Sequence, residues 1–221
     1  MTSDELALAR DVAARAGELL VDIRTRAGAV APDDKEALKE LRDRADRESN
    51  DLITAALVMA DGDALLSEEG VDDEGRLTAG RVWIVDPLDG TWEYGQGRTD
   101  FGVHIALWDM ARKEMVLGVV DLPALGLVRT SGDLDPELPM LPGDRPLRIV
   151  ASRTRPPAEL DAICARLADR IGQDVAVVNV GSVGAKVNEI LSGRAEAYLH
   201  DTGFYEWDLA APLAVAKHYG L

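Results

Sequence analysis

The chain is poor in the residues that build cross-links, metal cages and membrane anchors. Of its 221 residues, one is cysteine and three are histidine. A lone Cys164 excludes an intramolecular disulfide. It falls among the apolar positions of AELDAICARLADR and reads as a buried thiol in a protein of a reducing compartment, with the cytoplasm as the expected location. His104, His200 and His218 have no spacing that suits a zinc site, and His104, in the alternating strand DFGVHIALW, reads as either a structural or a pocket-lining residue. Long apolar runs are missing too. The N-terminal MTSDELALARDVAARAGELL is acidic and helical, without the basic start and unbroken apolar stretch of a signal peptide or membrane span. Base is scarce beside acid, with 24 Lys and Arg against 40 Asp and Glu for a net charge of -16. Nucleic acid and anionic membranes are therefore disfavoured as partners. A small phosphorylated molecule is a suitable partner if local cations, side chains or metal, receive it, and a second copy of the chain is open. GxGxxG turns, ATP-cradling loops and GxSxG elbows do not occur.

What is present is a 47% hydrophobic chain long enough for one large or two small domains. Leu6, Ala9, Val12, Ala13, Ala16, Leu19, Leu20 and Ile23 recur at helical intervals, with Ser3 or Asp4 as the expected cap. A second helical pattern is expected from about Asp46 to Ala60. A short strand ALLS precedes Glu68, and residues 81 to 85 form another. FGVHIALW, MVLGVVD and LGLVRT read as an antiparallel meander. The Pro-, Gly- and Asp-rich stretch 131 to 146 is the expected boundary between an N-terminal α+β domain (1–140) and a C-terminal α/β domain (146–221) of alternating strands and helices.

The chemistry gathers at RVWIVDPLDGT. An apolar strand runs into Asp86 and Asp89, separated by Pro87 and Leu88. Proline lacks a donor and is expected to end the strand ladder there, while Gly90 supplies a bend. Two close carboxylates repel unless one is protonated or a cation lies between them. Hard oxygen ligands of this kind suit Mg²⁺. On this stretch alone, a solvated turn is an equally good reading. Other acids punctuate apolar elements in the same way: Glu68 after ALLS, Asp208 in the first turn of a helix, and Asp46 at the expected start of another. Thr91 follows the turn, where its hydroxyl can orient an attacking water with Asp46 as partner. That combination points to metal-assisted hydrolysis.

WIVDPLDGT resembles the DP-[ILV]-DGT signature of the inositol monophosphatase superfamily. LSEE around Glu68, RADRESN around Asp46 and EWDLAAP around Asp208 are similar to its other motifs, in the expected order and across almost the whole chain. The resemblance implies a layered αβαβα sandwich with the site between its halves. It implies that Glu68, Asp86 and the Leu88 carbonyl hold one Mg²⁺, and that Asp86, Asp89 and Asp208 hold a second. A third, weaker ion near Glu68 and Asp86 and inhibition by Li⁺ are implied as well. Asp46, Thr91 and Glu68 are the implied catalytic residues, and Gly90 and Thr91 the implied phosphate donors.

LSEE, DFGVHIALW, VASRTRPP and GSVGAKVNEILSGRAEAYLH are similar to the CysQ-type branch, the 3'(2'),5'-bisphosphate nucleotidases. These remove the 3'-phosphate of 3'-phosphoadenosine 5'-phosphate. An inositol or fructose-bisphosphate phosphatase is the alternative within the family. Substrate contacts are then expected at Gly181, Ser182, Lys186 and Asp201, while Arg153 and Arg155 read either as attractors of a distal phosphate or as solvated loop cations. The chain departs from the family pattern twice. Asp43 stands where many members carry threonine, in Asp43-Arg44-Ala45-Asp46. Relatives also commonly continue beyond the position of Leu221, so the resemblance implies either an incomplete C-terminus or a shortened second domain.

Overall fold

The computed structural model describes all residues except 1, 58, 135, 139–142 and 144. Part of the expected boundary at 131 to 146 therefore lies outside the described residues. Helix α1 (Ser3–Ala27) is capped by neither Ser3 nor Asp4 but by Thr2, whose side chain accepts from the Glu5 N–H while Glu5 reaches back to the Thr2 N–H. Such a reciprocal cap satisfies two donors that a helix start leaves orphaned. Helix α2 (Lys35–Ala56) begins eleven residues before the expected start at Asp46 and stops short of Ala60. Its first half is dense in charge, which hides a sparse stripe of Leu38, Leu41, Ala45, Ser49 and Ile53 at helical spacing, and Asp34 caps it.

These helices cover one face of a five-stranded sheet, ordered β1 (Asp63–Ser67), β2 (Arg81–Asp89), β3 (Gly102–Asp109), β4 (Glu114–Leu122) and β5 (Leu127–Thr130). The expected meander is present: β2 to β5 pair antiparallel, while β1 runs parallel to β2. Both faces of this sheet are buried, so β3 is buried from Gly102 to Leu107 and does not alternate between core and solvent as DFGVHIALW suggested. Trp83, Val85, Ile105, Leu107 and Val119 face the core beneath α1. Val82, Ile84, Ala106 and Val120 face a second core.

That second core is completed by α5 (Val183–Leu191), α6 (Glu206–His218) and the inner face of a three-stranded sheet. There β7 (Val175–Val180), β6 (Leu147–Ser152) and β8 (Ala197–Tyr198) pair parallel with β6 central. Strand β8 amounts to only two paired residues. Helix α4 (Leu160–Ile171) covers the outer face through Leu160 and the buried Cys164. The layers run helix, sheet, helix, sheet, helix, as expected. No described helix is long and apolar enough to cross a membrane.

Candidate active site

The acidic turn is built by an irregularity of β2. Pro87 does not end the ladder: β2 continues to Asp89, with Asp86 opposite His104, Asp89 opposite Gly102, and a register shift between them. A bulge absorbs the residue that cannot donate, and bulges re-aim the side chains beside them. The turn is pinned from three directions. Ser49 on α2 donates to the Pro87 carbonyl at 2.8 Å. The Leu88 N–H donates to Asp86 Oδ1 at 3.0 Å, and the Gly184 N–H on α5 donates to Asp89 Oδ2 at 3.0 Å. Gly90 then adopts φ +89°, and a Cβ there would meet Asp100 O and Ser182 Cβ at 3.2 Å. This reversal starts the short helix α3 (Thr91–Gly95) and sets Thr91 directly behind the acids.

Thr91 Oγ1 donates to the Leu88 carbonyl at 3.0 Å and lies 3.5 Å from Asp46 Oδ1. Asp46 does not start its helix. It lies mid-way along α2, one turn before Ser49, so one helix supplies both the partner of Thr91 and the anchor of the turn. Ser49 was missed in the sequence, although its spacing from Asp46 places both on one helix face once the helix is extended.

Asp86 and Asp89 are buried, Asp46 and Asp208 are half-buried, and Glu68 is exposed. Burial, reinforced by Glu69 and Glu68, pushes the Asp46 carboxyl up to about 7. Glu68 is likewise pushed up to about 7, mainly by loss of solvent around it. Asp86 is held well above the ordinary carboxylate range by burial and by the neighbouring Glu68, Asp89 and Asp208. Asp208 is raised by burial and Asp89, against the pull of the Tyr205 N–H that it accepts at 2.9 Å. His104 Nε2 lies 3.2 Å from Asp89 Oδ2, but burial keeps the ring neutral, so it does not discharge the cluster. Gly184 is required beside it, since a Cβ would come within 2.4 Å of His104 Nε2.

This is an arrangement of hard oxygen donors that costs free energy without a cation. Among the described residues no three acidic or histidine side chains close into a ready cage. Hard oxygen donors of this kind suit Mg²⁺, which takes one or two carboxylates and completes its shell with waters and substrate phosphate.

Glu68, Asp86, Leu88, Asp89, Gly90, Thr91 and Asp208 line one wall of a cleft of about 420 Å³. Gly181, Lys186, Arg155, Tyr198, His200 and Phe204 line it as well. Lys186 is buried, its Nζ donating to the Gly181 carbonyl and lying 5.2 Å over the Tyr198 ring. Burial lowers its pKa, partly offset by Asp89 and Glu93. Ser182 stands behind the lining as the cap of α5, accepting from the Ala185 N–H at 2.9 Å. Asp201 is exposed outside the lining and accepts from the Ala158 N–H at 3.3 Å.

The two arginines of ASRTRPP part company. Arg153 is consumed by Glu93 at 3.2 Å, Asp100 at 2.7 Å and the Asn179 carbonyl at 2.8 Å. Asp100 also accepts from the Gly181 N–H at 2.7 Å, so this network ties α3, the start of β3 and the loop before α5 together. Sequence reasoning missed Glu93 and Asp100, whose partners lie far away along the chain. Arg155 keeps its guanidinium free of ion pairs among the described residues, and it lines the cleft.

The profile of the inositol monophosphatase family matches residues 2–137. The chain belongs to the inositol monophosphatase family. The 3'-phosphoadenosine 5'-phosphate phosphatase of Mycobacterium leprae (strain TN) is 42% identical over 98% of this chain and 79% of its own length. The protein of that name from Mycobacterium tuberculosis (strain CDC 1551 / Oshkosh) is also 42% identical, over 93% of this chain and 75% of its own. The crystal structure of CysQ from Bacteroides thetaiotaomicron shares the fold with a TM-score of 0.77 at 27% identity, covering 98% of this chain and 87% of that one. With these relatives the chain is a phosphatase of the family.

Proposed function

We propose that the protein hydrolyses the 3'-phosphate of 3'-phosphoadenosine 5'-phosphate, yielding AMP and inorganic phosphate, by direct attack of water in a Mg²⁺-dependent reaction. The observation that carries this reading is the convergence of Asp86, Asp89, Thr91, Lys186 and Asp208 on one cleft from three separate parts of the chain. The names of the relatives that match nearly its whole length support the substrate. The family is generally Mg²⁺-dependent.

Glu68, Asp86, the Leu88 carbonyl, Asp89 and Asp208 would hold two or three ions, and Li⁺ would compete for that site. When bound, Mg²⁺ neutralises charge on the phosphate and acidifies the attacking water. The chain's own residues do the rest. Thr91 orients the water through its hydroxyl, turned by the nearby Asp46 carboxylate. A base poised near neutrality suits that proton transfer, and burial gives Asp46 such a value. The Gly90 and Thr91 backbone meets the phosphate at the start of α3. Water attacks phosphorus, the bond to the 3'-oxygen breaks, and that oxygen leaves with the bonding pair and takes up a proton.

The test is a substrate panel with Mg²⁺ at matched concentration. Phosphate release from adenosine 3',5'-bisphosphate is expected to exceed release from inositol 1-phosphate and from fructose 1,6-bisphosphate. The reverse ranking would sink the nucleotidase assignment and favour another branch of the family.

A further inference from the structure

The cleft has two electrical poles. Four acids gather around the β2 bulge, while Lys186 and Arg155 line the same cleft with no ion-pair partner among the described residues. Lys186 is 3% exposed, Asp89 and Glu93 act on it only from beyond ion-pair distance, and a buried ammonium so weakly compensated is costly unless something anionic arrives. Its only donated hydrogen bond among the described residues goes to the Gly181 carbonyl, which leaves donors to spare. The guanidinium of Arg155 is near enough to depress the Lys186 pKa by repulsion, so the two cations act on one volume. Two like charges facing one cavity mirror the problem of the acids and have the same kind of solution, a counter-ion between them.

We infer that Arg155, and not Arg153, is the residue that selects substrates with a second phosphoryl group, which it clamps together with Lys186 while the scissile phosphate lies at the acidic pole. Arg153 is unavailable because Glu93, Asp100 and the Asn179 carbonyl occupy its donors. It positions the loop from which Arg155 projects: the Arg155 N–H donates to Ser152 Oγ at 3.2 Å, closing a tight turn between the two arginines. A planar guanidinium matches a phosphate bidentately, which a lysine point charge at the same place does only in part. Arg155 forms no ion pair with the acids, although its charge reaches Asp208, and it takes no part in the bond-breaking step. Its contribution should therefore fall on discrimination between bisphosphates and monophosphates.

This inference deepens the nucleotidase reading and rests on it for the choice of first substrate. Steady-state kinetics of the wild type, Arg155→Gln and Arg155→Lys are measured with Mg²⁺ on adenosine 3',5'-bisphosphate and on adenosine 3'-monophosphate. Arg155→Gln is expected to raise KM for the bisphosphate by roughly tenfold or more with kcat nearly kept, as for loss of one charge-assisted contact. The monophosphate parameters stay unchanged, and Arg155→Lys recovers part of the loss. Equal losses on both nucleotides, or no loss on either, overturn the assignment of Arg155 while leaving the nucleotidase reading intact. If the wild type turns over neither nucleotide, the nucleotidase reading fails, and the variants are scored on fructose 1,6-bisphosphate against inositol 1-phosphate. A selective loss on the bisphosphate then still supports the clamp, and a wild type that acts only on monophosphates overturns it.

Discussion

On one wall of the cleft the acidic groups stand on backbone pinned by hydrogen bonds from neighbouring elements. On the other, side chains hang from loops. Asp86, Asp89 and Thr91 sit on a strand bulge and a left-handed glycine, held by donors from Ser49, Leu88 and Gly184. Arg155 follows the end of β6, and His200 and Phe204 follow the two-residue strand β8, with their rings stacked at 3.7 Å. Under the proposed function, the first wall must place several like charges within reach of one phosphate, a task that tolerates little error. The second has only to present a phosphate and an organic group with complementary charge and apolar surface. A family that keeps its chemistry and changes its substrates can vary the second wall without disturbing the first.

The comparison breaks first at Asp89. Asp89→Asn keeps the shape of the side chain and an oxygen for the Gly184 N–H but removes half of the charge shared with Asp86. The expected result is a fall in kcat of about a thousandfold or more, the scale of losing an electrostatic catalytic group, with the circular-dichroism spectrum and thermal midpoint retained. Full activity in this variant would defeat the metal-centred reading of the acidic wall. A smaller loss is expected at Ser49, which touches neither substrate nor ion. Ser49→Ala leaves the buried Pro87 carbonyl without its donor. That should cost about 1–3 kcal/mol of stability and lower kcat while KM for the substrate changes little. A rise in KM alone would mean that Ser49 serves the loop wall instead of the acidic one.

How far the two walls could be read in the sequence follows the same division. The acidic wall was legible because Asp86, Asp89, Gly90 and Thr91 are adjacent, so a turn made by four neighbours keeps its meaning without the fold. Its support was not. Helix α2 was started too late because a run of Lys, Glu, Arg and Asp masks its sparse apolar stripe, and Ser49 was lost with it. Pro87 was expected to end β2, since the rule against a missing donor is local, whereas the bulge that accommodates it depends on β3 across the ladder. On the second wall, Lys186 of α5 was legible, but Arg153 and Arg155 could not be told apart. What separates them is Glu93, sixty residues away from Arg153. Only tertiary structure brings the two together.

A last, smaller contrast is between the acids of the site and a buried acid remote from it. Asp121, on β4, is 4% exposed, and burial with help from Glu18 pushes its carboxyl up to about 7. It packs against α1 so closely that a Cβ on Gly17 would come within 1.9 Å of its Oδ2. The folded protein thus holds this proton up to about pH 7, whereas an unfolded chain releases it near pH 4. Between those values the folded state binds more protons, so stability falls as pH rises and stays lower above pH 7. Asp46 and Glu68 act in the same direction. Mg²⁺ can relieve only the acids it reaches, so its stabilising effect should grow from pH 4 to pH 7 and leave the contribution of Asp121 untouched. Asp121→Asn should therefore match the wild type in thermal midpoint near pH 4 and exceed it at pH 7 to 8 by roughly 2–4 °C per kcal/mol recovered, with or without Mg²⁺ and with kcat unchanged. A difference between the two proteins that does not vary with pH would show that Asp121 is held by packing alone. A difference that Mg²⁺ abolishes would show that the acid on β4 and the acids of the cleft titrate as one system.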